Sequence, residues 1–172
     1  MQFPEDIQPE ALSEDLRETE DSFLGNRRKI TALSLFNIAM MGIISLYQMG
    51  VIKRLHEPPL PGLDAEKVNG SAQAYELFST SDAVLGLGSY AATLGLCAMG
   101  SSKRSKTLPL IPVLLMLKAT VDALAAAKLS YDQPTKYKAA CLYCIGGALA
   151  TFAVLPLAWP EARAAWKNLR EK

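Results

Sequence analysis

Apolar residues in this chain fall into four blocks separated by polar or helix-breaking stretches. The first runs from Ile30 to about Ile52 with serines, Asn37 and Gln48 among its few polar positions. The second, Asp82 to Gly100, is rich in Gly, Ala and Leu; Leu108 to Ala127 and Ala139 to Ala158 complete the set. A bilayer core of about 30 Å needs roughly 20 apolar residues at 1.5 Å of rise each. Each block therefore predicts a membrane-crossing helix (about 30–52, 82–100, 108–127 and 139–158), and the predicted fold class is all-α, an integral membrane four-helix bundle. The blocks are bounded by Asn26-Arg27-Arg28-Lys29, the Pro58-Pro59 region, Ser101 to Lys106 and Trp159-Pro160. Trp159 stands where an interfacial anchor belongs, and Tyr131 and Tyr137 stand at the opposite interface. This divides the chain into an acidic tail (1–26), a transmembrane domain (27–160) and a short second tail (161–172).

The composition changes this picture little. Half of the residues are hydrophobic, yet the mean hydropathy is only +0.13, so the apolar residues are clustered rather than spread. Lys and Arg number 18 against 17 Asp and Glu; a net charge of +1 gives no field that would draw a nucleic acid. Met1 to Asp21 carries eight acidic residues and only Arg17 as a cation. A cleaved signal peptide needs a basic start and an apolar core, so this is not one. A solvated, disordered tail is expected, with room for one short helix capped by Ser13.

The remaining cations give an orientation. Arg17, Arg27 to Lys29, Lys103, Arg104, Lys106 and the four beyond residue 160 share one side; Lys53, Arg54, Lys67, Lys128, Lys136 and Lys138 share the other. The larger group predicts cytoplasmic termini for a multi-pass protein of the inner membrane. The loops 53–81 and 128–138 then face the exterior.

The third block contains Lys118 and Asp122. Either alone would cost about 2.5 to 3.5 kcal/mol near a helix centre, but the i, i+4 spacing places them on one face as an intramembrane ion pair. Glycines and alanines in the second and fourth blocks allow close helix approach.

Of the three cysteines, Cys141 and Cys144 form a C-x-x-C at the exterior-side start of the fourth helix. Cys97 lies near the cytoplasmic end of the second, about 20 Å away in depth, too far for a disulfide that needs α-carbons within about 7 Å. A C-x-x-C at a helix N-terminus is a redox geometry: the spacing permits a small disulfide ring and the helix dipole favours the first thiolate. Cys141 is expected to be the more exposed sulfur and Cys144 the deeper one. Two small apolar fillers would give the same sequence. A zinc site is not expected, because His56 is the only histidine.

Counting inward to the depth of Cys144 reaches Tyr47 and Gln48 on the first helix, Gly86 with Ser89 and Tyr90 on the second, and Asp122 on the third. Such a ring would suit a flat quinone, with Asp122 handling protons and Lys118 holding it ionised. A purely structural ion pair would place the same two residues there.

Four membrane helices with Cys141-x-x-Cys144 opening the last resemble the vitamin K epoxide reductase family. So do Val68-Asn69-Gly70-Ser71-Ala72-Gln73-Ala74-Tyr75, Asp82-Ala83-Val84-Leu85-Gly86 and Ser89-Tyr90. The resemblance covers roughly residues 30 to 160. It implies quinone reduction coupled to disulfide formation, Cys141 and Cys144 as the active pair, Ser71 as the loop hydroxyl before the second helix, and a ubiquinone- or menaquinone-type co-substrate. One departure stands out: members carry a second cysteine pair in the loop between the first two helices, and residues 53–81 have none. The electron donor would then be an external thioredoxin-like protein or a small thiol. A non-catalytic scaffold that keeps the bundle is the alternative; a transporter finds no inverted repeat to support it.

Overall fold

The computed structural model describes residues 8–171. The start of the acidic tail, with Glu5 and Asp6, and Lys172 lie outside the described residues. Seven helices follow in order: α1 (Pro9–Glu18), α2 (Ser22–Gln48), α3 (Ala65–Asn69), α4 (Asp82–Ala98), α5 (Arg104–Thr107), α6 (Leu110–Asp132) and α7 (Leu142–Arg170). A 3₁₀ turn, Ala72–Tyr75, precedes α4, and a π turn, Gln133–Tyr137, ends α6. Among the described residues the only β pairing is a single parallel bridge between Leu63 and Ala140.

Three helical stretches, Ser22–Gln48, Leu110–Tyr137 and Leu142–Arg170, are long and apolar enough to cross a membrane. The fourth apolar helix, α4, has 17 residues, or about 25 Å of rise. The four lie side by side. α2 packs against α4 and α7, α6 packs against α7, and the α4–α6 seam is the loosest contact of the ring. Large apolar side chains point outward: Leu117, Val121, Leu124 and Leu149 are each more than half exposed. The buried positions include Ser34, Asn37, Thr93, Ala119, Ala123 and Thr151. An apolar shell over a small and polar interior is the arrangement that lipid, not water, stabilises, because helices in a bilayer associate by close packing and hydrogen bonds.

The helix boundaries depart from the hydropathy pattern in physically intelligible ways. α2 begins at Ser22 rather than near 30, because the Asp21 carboxylate accepts from Phe23 N at 2.9 Å and Leu24 N at 3.3 Å. α7 does not stop at Trp159-Pro160 but runs to Arg170 through Pro156 and Pro160. Contacts from α5 hold the extension: Arg104 grips Glu161, and Asn168 Nδ2 donates to Ser105 O at 2.9 Å. α6 runs past 127 to Asp132, with Lys128 and Asp132 paired at 3.0 Å.

The tail departs as well. Residues 9–18 are helical, Gln8 holds the N-cap position and Pro9 opens the helix, so Ser13 sits inside it and caps nothing. Asp15 ties this helix to the α4–α5 connection by accepting from Ser102 N at 2.6 Å and Ser102 Oγ at 2.8 Å. Burial works against the Asp15 charge, but the bonds from Ser102 and Thr19 outweigh it and carry the carboxyl below its usual value of 3.8.

Candidate redox site

The loop 53–81 and the chain before α7 fold onto one another. Asp64 N donates to Ala140 O and Ala140 N to Gly62 O, both at 2.8 Å. Glu57 fastens the same junction from the side: one carboxylate oxygen accepts from Ala65 N at 2.6 Å, the other from Leu142 N, the first residue of α7, at 2.5 Å. Leu55, Ala65, Val68 and Ala139 close over Cys141.

The result inverts the expected exposure of the pair. Cys141 is fully buried, and Cys144 is the partly accessible one. The reason is the cover: helix geometry alone puts the N-cap residue outermost, but a loop packed on the helix end buries it.

Cys141 is the N-cap of α7, its sulfur accepting from Cys144 N at 3.3 Å while its own N–H donates to Gln133 Oε1 at 2.8 Å. Asn69, at the last turn of α3, serves both sulfurs: Nδ2 donates to Cys141 Sγ at 3.2 Å, and Oδ1 accepts from Cys144 Sγ at 3.6 Å. Gly70 follows Asn69 closely enough that a Cβ there would sit 2.8 Å from Glu66 O, so the turn that aims Asn69 requires glycine.

Cys144 lies in the wall of a cavity of about 780 Å³. Ser71, Asp82, Gly86, Ser89, Tyr90 and Asp122 also line it. The cavity lies along the loose α4–α6 seam, and its lining includes the exposed Val121 and Leu129 of α6 and Leu77 of the loop before α4. Gly86 makes room for Met41, which approaches an added Cβ to 3.2 Å.

Tyr47 and Gln48 are not in the cavity wall. Tyr47 packs beneath the cover of Cys141, its hydroxyl 3.5 Å from Glu66 O. Gln48 instead anchors the start of α4: Nε2 donates to Asp82 Oδ1 at 2.7 Å and to Asn69 O at 3.2 Å, and Oε1 accepts from Ser81 Oγ. Ser71 Oγ donates to Val68 O at 2.9 Å. Deeper in, Tyr90 Oη meets Thr151 Oγ1 at 2.8 Å, and Asn37 Nδ2 donates to the same oxygen at 3.1 Å. Lys118 pairs with Asp122, and Ser89 bridges them.

Asn69, Glu57 and Gln133 are the site residues that sequence reasoning missed. Asn69 stood inside the loop motif, but nothing in its neighbours signals a contact 72 positions away.

A family model settles what this arrangement belongs to: the vitamin K epoxide reductase model matches residues 29–159, most of the chain. This chain belongs to the vitamin K epoxide reductase family. No curated protein matches it. Membership makes it a membrane protein of a thiol–disulfide oxidoreductase family linked to quinone, and it does not favour the scaffold reading. The loop 53–81 is nonetheless without cysteine, since the three present are Cys97, Cys141 and Cys144. Cys97 is buried with Ile30, Leu115 and Val154 in a separate cluster from the one that holds Cys141.

Proposed function

We propose that this protein is an inner-membrane oxidoreductase that reduces a quinone with electrons from the Cys141 and Cys144 thiols, and that an external thiol then reduces the resulting disulfide. The observation that carries the reading is that Cys144, bonded through Asn69 to Cys141, forms part of the wall of an apolar-rimmed 780 Å³ cavity. That volume lies within the range of small-molecule sites, about 300 to 1,000 Å³.

In the first half of the cycle Cys141 and Cys144 give up two electrons and two protons and join as a disulfide, and quinone leaves as quinol. In the second half, a donor thiol attacks Cys141 and Cys144 is released. A second donor thiol then attacks the donor's own sulfur in the mixed disulfide, so the donor leaves oxidised and Cys141 is restored. Asn69 keeps the two sulfurs together through both halves. A quinone of ubiquinone or menaquinone type enters from lipid along the α4–α6 seam, and the donor, a thioredoxin-like protein or a small dithiol, approaches when the cover over Cys141 lifts. All four apolar helices cross the membrane, with both termini in the cytoplasm.

Purified protein reconstituted in lipid, supplied with a soluble quinone analogue and with dithiothreitol or thioredoxin as donor, tests this. Donor-dependent quinol formation is expected, lost in Cys144→Ser and in Cys141→Ser and kept in Cys97→Ser. No quinol with either donor overturns it.

A further inference from the structure

The cavity has a second polar level below the sulfurs. Thr151 stands seven positions along α7 from Cys144, about 10 Å by helical rise, and its hydroxyl meets Tyr90 Oη at 2.8 Å. One residue back on α4, Ser89 Oγ donates to Asp122 Oδ1 at 2.8 Å and accepts from Lys118 Nζ at 2.9 Å. Asp122, Ser89 and Tyr90 line the cavity, whereas Lys118 stands behind them, in contact with Asp122 and 5.6 Å from the Tyr90 ring centre.

Quinone chemistry gives this level a task. A para-quinone carries its two carbonyl oxygens at opposite ends of the ring, and both must gain a proton when two electrons arrive. With one oxygen against Cys144, the other points toward the membrane interior, where bulk water cannot supply a proton. Asp82 and the other titratable groups of the lining stand near the exterior end; Tyr90 and Asp122 are the ones at depth. The Tyr90 hydroxyl is already held by Thr151, which is itself bonded to Gly147 O at 2.8 Å. Asp122 has what Tyr90 lacks, an ammonium at its back.

We propose that Asp122 is the proton donor to the far carbonyl of the quinone, loaded by Lys118 with Ser89 holding both in place. The inference rests on the oxidoreductase reading above. Lys118 passes a proton to Asp122, and Asp122 gives it to the distal oxygen as the Cys141–Cys144 disulfide closes. One thiol proton goes to the near oxygen, and the other returns to Lys118 through the Ser89 hydroxyl, which lines the cavity and accepts from Lys118, once the quinol has left and water fills its place. Two thiol protons leave and two quinol protons are gained.

The test uses the double variant Lys118→Met/Asp122→Asn, which leaves no unpaired charge in the membrane, and compares a quinone analogue with ferricyanide, an acceptor that needs no proton. The expected result is a fall in kcat for quinone of 10²-fold or more, the scale of a lost general acid. KM for quinone and ferricyanide-linked oxidation of the cysteine pair should stay near wild type. Asp122→Glu, which keeps a transferable proton, should recover most of the rate. An unchanged kcat in the double variant, equal loss of both reactions, or a comparable loss in Tyr90→Phe would each overturn the assignment to Asp122. A wild-type protein that oxidises its thiols with ferricyanide but never with quinone would instead overturn the oxidoreductase reading, and this inference with it.

Discussion

The two ends of the bundle gather similar residues and use them differently. At the end opposite Cys141 and Cys144, Arg27 is buried and directs its guanidinium at main-chain oxygens, among them Cys97 O at 2.6 Å and Ser101 O at 3.0 Å. Beside it Arg104, fully buried, holds Glu161 through two bonds of 2.7 and 2.8 Å and donates to Leu96 O and Met99 O. The turn between them is tight, since a Cβ at Gly100, whose φ is +80°, would lie 2.9 Å from the Arg104 side chain. At the cysteine end Asn69, Gln48 and Glu57 also bind loops to helix ends, but a 780 Å³ cavity lies against Asn69. Buried guanidinium groups bound to main-chain oxygens and to a carboxylate act as a clamp. Polar groups bordering a cavity can exchange partners with a ligand.

The sharpest way to break the comparison is to change one side chain at each end. Cys144→Ser should abolish quinone reduction while leaving the melting temperature of the protein in detergent nearly unchanged, since a hydroxyl of similar size can still reach Asn69. Arg104→Met should do the opposite. It strands the Glu161 carboxylate in a dry environment, a change that typically costs about 3 to 5 kcal/mol, so folded yield and melting temperature should drop while any protein that folds retains turnover. Arg104→Met combined with Glu161→Leu should recover much of that loss. If Arg104→Met impairs turnover in folded protein as strongly as Cys144→Ser does, the two ends are not functionally distinct.

A subtler test sharpens the comparison at the cover. Glu57 uses both carboxylate oxygens, one on Ala65 N and one on Leu142 N, and Glu57→Gln can satisfy only one of them. Losing a charge-assisted bond of about 1.5 kcal/mol corresponds to roughly a tenfold larger open population. Maleimide labelling of Cys141 should accelerate by that factor, with Cys144 labelling changed less. Equal labelling of Cys141 in both proteins would mean that Glu57 does not hold the cover shut.

These contrasts also explain what the sequence made legible. Hydropathy marks the apolar helices because lipid imposes a length and a composition on each. Lys118 and Asp122 meet because residues four apart on a helix face each other, and a C-x-x-C opening a helix places two sulfurs one turn apart. These are local relations. The burial of Cys141, by contrast, depends on Leu55, Val68 and Ala139 arriving from other parts of the chain, and Asn69 reaches the sulfurs through a loop that no periodicity describes. The continuation of α7 through Pro156 and Pro160 was hidden for the same reason. Proline removes a helix bond locally, and only the distant Arg104 and Ser105 contacts compensate.

The smallest expected effect concerns α1, which adds a second layer to the clamp end without touching the cavity. Its anchor is Asp15 on Ser102, supported by Arg28 Nη2 donating to Leu16 O at 2.9 Å. Because the folded-state Asp15 carboxyl lies below its usual value of 3.8, its contribution is present in full above that value and is lost as the pH falls through the lowered one. At neutral pH α1 should therefore stay docked, and acidification should release it only at the acid end of the range. Asp15→Ala should release it at any pH. Trypsin cleavage after Arg17 reports the docked state, and a severalfold faster cut in Asp15→Ala at neutral pH is expected, with quinone turnover unchanged. Asp15 is only half-buried, so salt should weaken the anchor as well. If cleavage after Arg17 is equally fast in both proteins, Asp15 does not dock the helix, and the clamp ends at Arg27 and Arg104.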